Sequence, residues 1–242
     1  MSRYTNIFSK IPEVKAVFST KEDGSLSFKW QAPQVVENRQ KFFNTLGLDL
    51  EQLIMAEQTH TNLVKIVNSK FIGRGAKGKN WINKIDGLVT NDNNVIIGAE
   101  ASDCGIIFAV DPVKRIIGIA HAGWRGVVGG MVNSFIQKMK LAGAEIDNIK
   151  IETAPHIQKC CFEIKPDVLS KFLNYPESIL KNNKLIKVDL RKIIKLQLLE
   201  KGIKSKNIKL SKVCTCCNKN YFSWRRDKQN CSGGMIGVIK LK

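Results

Sequence analysis

His60, Cys104 and His121 are the residues of this chain best suited to chemistry. They offer two imidazoles and one thiol in a sequence with only three histidines. Each is expected at the end of a strand. Zinc favours imidazole and thiolate ligands, and three protein ligands plus an open position is the pattern of a catalytic site. The long, irregular spacing suits such a centre better than a structural knuckle, whose ligands come in tight pairs. Spacing alone fits a buried thiol beside two hydrogen-bonded histidines as well, and leaves both readings open.

The neighbours of these residues extend the picture. Asp103, next to Cys104, could orient a ligand or accept a proton. "HAGWRG" at 121–126 sets Arg125 at the start of an expected helix, where a guanidinium and unpaired backbone N–H groups together attract an anion. Trp124 could stack on an aromatic substrate or serve the core. In "YFSWRRD" at 221–227, Arg225 and Arg226 could grip an anion bidentately, or pair with Asp227 as structural ions. Cys214, Cys216 and Cys217 form a second cluster, with Cys231 further on. The two paired C-x-x-C units of a zinc knuckle are missing, so no second metal site is expected. Cys160 and Cys161 read as buried strand or loop thiols.

These residues need a framework. "VKAVFST" (14–20), "DGLVT" (86–90), "NVIIGAEASDCGIIFAV" (94–110), "RIIGIAHAG" (115–123) and "NIKIETA" (148–154) read as strands. Segment 53–67 reads as two short strands around a turn. The turn 111–114 makes a hairpin of the strands that carry Cys104 and His121. Helices are expected over 35–48, from Gly126 to Gly143, over "KPDVLSKFLNY" and over 189–202, with Gly47, Gly143 and Gly202 as stops. "GRGAKGKN" (73–80) reads as a flexible loop, and the tail adds strands near 207–213 and 235–241. Strands outnumber clean βα alternations, so the expectation is one α/β domain over residues 1–242 and not a simple Rossmann sheet.

Bulk properties bound the function. With 242 residues, 43% of them hydrophobic, the chain can build an ordinary core without a disulfide or metal to staple it. No apolar run is long enough for a transmembrane helix, and the N-terminus lacks a secretory h-region. Seven cysteines, odd in number and partly adjacent, suit a reducing compartment, so a cytoplasmic location is expected, with no membrane partner. The formal charge is +18, but the lysines are scattered and no base-reading motif accompanies them, so no specific nucleic-acid partner is expected.

"EQTH" (57–60), "DGLVT", "SDCGIIFAVDP" (102–112), "HAGWRG", "CCFEI" (160–164) and "FSWRRD" (222–227) together resemble the laccase-domain family of purine nucleoside phosphorylases, formerly labelled polyphenol oxidases. The resemblance runs from about residue 14 to the end. It implies a four-layer α-β-β-α sandwich with mixed sheets and a zinc held by His60, Cys104 and His121. It also implies phosphorolysis of adenosine, inosine and 5′-methylthioadenosine, with adenosine deamination as a further activity. Purine nucleosides and phosphate are then the small-molecule partners. The older label implies copper.

The chain departs from the family pattern in places. Lys21 stands where the family's Phe-x-x-Arg has arginine, and would hold phosphate as a point charge without a bidentate fork. Gly233-Gly234 replaces a Gly-Arg pair, and Ala154 and His156 stand where glycine and small residues are usual. Lys21, Arg125 and Arg225 are the candidate phosphate holders. A zinc site that activates water suits attack at C6 of adenine, although the H-x-E…P-C-x-x-C deaminase pattern is absent. Three other classes compete: a copper phenol oxidase, for which three histidines are too few; a cysteine hydrolase with Cys104 as nucleophile and His121 as base; and a basic nucleic-acid-binding module.

Overall fold

The computed structural model describes residues 4–30, 34–182 and 185–242. In chain order the elements are β1 (Thr5–Ile7), β2 (Val14–Phe18), α1 (Val35–Leu46), β3 (Leu53–Ile54), β4 (Val64–Ile66), β5 (Gly87–Thr90), β6 (Ile96–Ala101), β7 (Gly105–Asp111) and β8 (Ile116–Ala122). They continue with α2 (Trp124–Val128), α3 (Met131–Leu141), β9 (Lys150–Thr153), β10 (Glu163–Ile164), β11 (Ile179–Lys181), β12 (Ile186–Val188), α4 (Leu190–Glu200), β13 (Ile208–Lys209), α5 (Trp224–Asp227) and β14 (Met235–Leu241).

Two large mixed sheets result, ordered β1-β2-β14-β6-β3 and β13-β9-β7-β8-β5-β4, with a small sheet β10-β12-β11 beside them. Side chains alternate along each strand, so each sheet offers two apolar faces. On β7, Ile106, Phe108 and Val110 join a cluster that also holds Phe18 and Ile97 of the first sheet, while Ile107 and Ala109 face Phe135 and Ile194. On the first sheet, Val17, Ile96 and Val238 turn outward to Phe42 and Phe43 of α1. Three clusters stacked in this way separate four layers: α1, the first sheet, the second sheet, then α2, α3 and α4. The expected α-β-β-α sandwich is what the structure has.

Local signals explain the ends of the elements. Gly47 closes α1 in the left-handed region at φ +62°, its N–H bonding to Asn44 O and that of Leu48 to Phe43 O. The Asp189 carboxylate accepts from Lys192 N and caps α4.

Three local expectations are corrected. The helix expected from Gly126 to Gly143 is two, α2 and α3, because Gly130 at φ +90° breaks the run. The "KPDVLSKFLNY" helix is a 3-10 stretch, Pro166–Phe172. The loop 73–80 is pinned rather than flexible, since the Arg39 guanidinium, itself fully buried, donates to Gly75 O at 2.6 Å and Ala76 O at 2.9 Å.

Candidate metal centre and cavity

The antiparallel pairing of β7 with β8 sets the site. Gly105 lies opposite Ala122 and Ile106 opposite His121, so Cys104, just before β7, meets His121 at the end of the hairpin. His121 shares its strand face with Ile117 and Ile119, which point into the space between the sheets. His60 arrives from the loop between β3 and β4. It adopts φ +64°, a left-handed conformation that a histidine takes only when its surroundings impose it.

Asp86 imposes it. Oδ1 accepts the His60 amide at 3.1 Å, and Oδ2 accepts the amides of Thr59 and Thr61 at 3.1 and 2.8 Å and the Thr61 hydroxyl at 2.7 Å. Oδ1 also lies 2.8 Å from His121 Nδ1. That contact fixes the ring and leaves Nε2 for the thiol side, the carboxylate–histidine arrangement that orients metal-ligating imidazoles. The His60 Nε2 to Cys104 Sγ distance is 3.9 Å, the two imidazoles meet edge to face at 4.8 Å, and the three donor atoms all lie within 4.8 Å of one another. Gly123 makes this approach possible. A Cβ there would stand 2.7 Å from His60 Cδ2 and 3.2 Å from both Cys104 Sγ and His121 Cε1.

The electrostatics match the donor set. Burial alone would push the Cys104 thiol up, but His121 and His60 beside it bring it down to about 6. Burial likewise opposes charge on His121, yet the Cys104 sulfur and the Asp86 carboxylate hold its pKa up at about 9. Asp86 sits at about 2: the hydrogen bonds from His121 and Thr61 outweigh the effect of its burial. Two imidazoles and a thiolate converge from three separate segments, and their chemistry fits a divalent metal of borderline softness.

The trio borders a cavity of about 470 Å³. Trp30 and Trp224, both in its lining, lie 5.6 Å apart with their rings tilted by 34°, and the Arg125 guanidinium lies 4.4 Å from the centre of the Trp124 ring. Arg225 and Lys29 also line it, Lys29 donating to Gln58 O at 3.0 Å. Lys29 and Asp86 are the functional candidates that sequence reasoning missed. An aspartate before glycine reads as an ordinary turn residue, and nothing in the spacing of "FKWQAP" marks Lys29.

The other expected site residues fall as follows. The Asp103 backbone and side chain border the cavity, but its carboxylate accepts from Thr215 Oγ1 (2.6 Å), Arg225 N (2.7 Å) and Ser223 Oγ (3.1 Å). Burial raises its pKa against the pull of these three donors. Lys21 is not among the residues that line the cavity. It is exposed, with its ammonium 5.4 Å from the centre of the Phe222 ring. Arg226 forms the structural pair with Asp227 and also holds the carbonyls of Thr215 and Cys216. Arg225 reaches the carbonyls of Cys161 and Glu163. The reading of Cys160 and Cys161 as buried thiols is corrected, because Cys160 is exposed and Cys161 half-buried in a turn. His156 is buried and is not grouped with the three donors; its Nδ1 contacts Ala154 O.

An open three-ligand centre that faces an aromatic, cationic cavity is the arrangement of a small-molecule enzyme and not of a closed structural metal knot. Residues 20–242 match the model of the family described as multi-copper polyphenol oxidoreductase laccase, and the chain belongs to that family. Similar proteins include the purine nucleoside phosphorylase YlmD of Bacillus subtilis, 29% identical over 95% of this chain and 89% of that one. The adenosine deaminase RL5 from an unknown prokaryotic organism is 30% identical over 86% and 83% of the two chains. Among solved structures, the hypothetical protein YfiH of Bacillus licheniformis superposes with a TM-score of 0.93 at 27% identity, over 100% of this chain and 97% of that one. No helix among the described residues is long and apolar enough to cross a membrane.

Proposed function

We propose that the chain is a zinc-dependent purine nucleoside enzyme. It phosphorolyses adenosine, inosine and 5′-methylthioadenosine, and it deaminates adenosine as a side reaction. One observation carries the reading: the His60, Cys104 and His121 donors share a cavity with the neighbouring indoles of Trp30 and Trp224 and three cations. The similarity to relatives named as a purine nucleoside phosphorylase and an adenosine deaminase supports it. His60, Cys104 and His121 would hold the ion, and zinc there supplies Lewis acidity for the activation of water.

The remaining roles belong to the chain's own side chains. Trp30, Trp224 and Trp124 offer flat apolar faces to a purine. Arg125, Arg225 and Lys29 hold phosphate near the ribose, all three being part of the cavity lining, which does not include Lys21. The phosphate oxygen attacks the ribose C1′, the glycosidic C–N bond breaks, and the base leaves with the electron pair. Asp103 acts by positioning, since its carboxylate is committed to Thr215, Ser223 and the Arg225 amide. The free state of all seven cysteines accords with a reducing, cytoplasmic setting.

Copper oxidase chemistry is disfavoured. Of the three histidines only two reach the centre, and a multi-copper site needs many more. A cysteine hydrolase reading has one observation in its favour, the Cys104 thiol lowered to about 6 beside His121. Metal content separates the two, because a thiolate bound to zinc is not a free nucleophile.

The test is incubation of the purified protein with adenosine and phosphate, with His121→Ala as control. The expected products are adenine and ribose 1-phosphate, with base release falling sharply when phosphate is left out while slow inosine formation persists. Arg125→Ala should raise the phosphate requirement more than the nucleoside requirement. Identical traces from the wild type and His121→Ala would overturn the proposal.

A further inference from the structure

A second group of donors lies outside the catalytic trio. Cys160 and Cys161 occupy a turn closed by Gln158 O, which accepts the amides of Cys161 and Phe162, both at 2.9 Å. Cys214 and Cys217 occupy another turn, in which Cys214 O accepts from Asn218 N at 2.9 Å. The four sulfurs all lie within 4.8 Å of one another, with Cys161 and Cys217 3.3 Å apart and Cys160 and Cys217 3.6 Å apart.

These distances discriminate between the possible states. A disulfide places its sulfurs about 2.05 Å apart, and all four thiols are free. Four sulfurs bound tetrahedrally to one zinc at about 2.3 Å would sit roughly 3.8 Å apart, within the observed spread. A thiol cluster that serves only as core filling would be buried, yet Cys160 and Cys217 are exposed and Cys161 is half-buried.

Sequence and backbone agree with this geometry. Cys214-x-x-Cys217 is one half of a zinc knuckle, although Cys216 between them obscures it. The turn at 158–162 presents the adjacent pair Cys160–Cys161 to the same sulfur, Cys217 Sγ. The amide of Gln158 donates to Cys214 Sγ at 3.4 Å. Four thiolates around a divalent ion leave a double negative charge. Lys187 on Cys160 O, Arg225 on Cys161 O and Arg226 on Cys216 O surround it with cations.

We propose that Cys160, Cys161, Cys214 and Cys217 bind a second, structural zinc ion that staples these two turns together. The staple bears on the catalytic cavity from behind. Phe162 of the first turn lines the cavity, and Thr215 of the second donates to Asp103 beside Cys104. The closed four-thiolate set leaves no open position for a substrate.

The test counts metal ions and identifies their donors in the full chain, purified under reducing conditions. Wild type should carry two zinc ions per chain, and His60→Ala/His121→Ala should keep one. Cobalt loaded into that histidine variant should give the intense visible bands of a tetrahedral site, with strong thiolate-to-cobalt charge transfer. Cys217→Ser in the same background should lose them, and Cys216→Ser should keep them. Because this cobalt signal is read without the catalytic site, it stands or falls apart from the nucleoside reading. No metal ion in His60→Ala/His121→Ala, a cobalt spectrum unchanged by Cys217→Ser, or a disulfide among these cysteines in place of metal would overturn the proposal.

Discussion

Replacing Gly123 by alanine should weaken metal binding at the proposed His60, Cys104 and His121 centre while sparing the fold. Gly123 has φ −64° and ψ 155°, a conformation open to alanine, so any effect comes from the methyl group and not from the backbone. That methyl would sit 2.7 Å from His60 Cδ2, against an ordinary contact distance of 3.4 Å, so the ring must retreat by roughly 0.7 Å. Metal–ligand distances tolerate about 0.2 Å. His60 cannot give way through its backbone, because its amide and those of Thr59 and Thr61 are tied to Asp86. The loss should therefore reach at least the 10–100-fold typical of a disturbed supporting shell, about 1.4–2.7 kcal/mol of binding free energy. Competition for zinc with a chromophoric chelator measures it. Gly105→Ala is the control, since a Cβ beside Cys104 at that position meets nothing nearer than Ala122 O at 3.4 Å. Wild-type zinc affinity in Gly123→Ala would refute the claim that this glycine sets the closeness of the three ligands.

Asp86→Asn keeps the size of the side chain but turns an NH2 group toward backbone N–H donors on one side. Zinc affinity at the catalytic centre should fall about 10–100-fold, and an affinity equal to wild type in the same competition assay would show that Asp86 does not orient the ligands. Burial holds the His156 pKa below its ordinary 6.5, and its Nε2 is buried with no hydrogen-bond partner among the described residues. As pH falls below 6.5 the unfolded chain takes up a proton that the folded chain refuses, so stability should drop by up to ~1.4 kcal/mol per pH unit until the folded group titrates. Urea unfolding of wild type and His156→Gln at about pH 7.5 and about pH 5.5 checks this: the variant should lack that part of the acid loss, and equal slopes would refute it.

The strands and the hairpin were legible because strand periodicity and the 111–114 turn are local signals, and the β7–β8 hairpin they specify brings Cys104 to His121, whereas the four-layer order followed only from the family resemblance. The residues that hold the trio in place were not. Asp86 acts through hydrogen bonds to the 59–61 loop, a contact across sequence that no periodicity encodes, and its Asp-Gly pair carries a sufficient local reading as a turn. Lys29 reaches the cavity from an irregular segment, where side-chain direction follows no fixed period. The break at Gly130 was concealed by apolar spacing that stays helical on both sides of it. Cysteine spacing did not show that these four sulfurs meet, for a related reason. A knuckle signature assumes that each pair of ligands is presented by its own standard turn, and Cys160–Cys161 violates that assumption in sequence. In space, a turn closed by Gln158 and arginine contacts to both segments bring the adjacent pair to Cys217. Ligand type is therefore readable from sequence wherever thiols and imidazoles are scarce. Donor grouping depends on the tertiary path of the chain, and the RRD segment that borders the cavity also holds the turns of the four cysteines, through Arg225 on Cys161 O and Arg226 on Cys216 O.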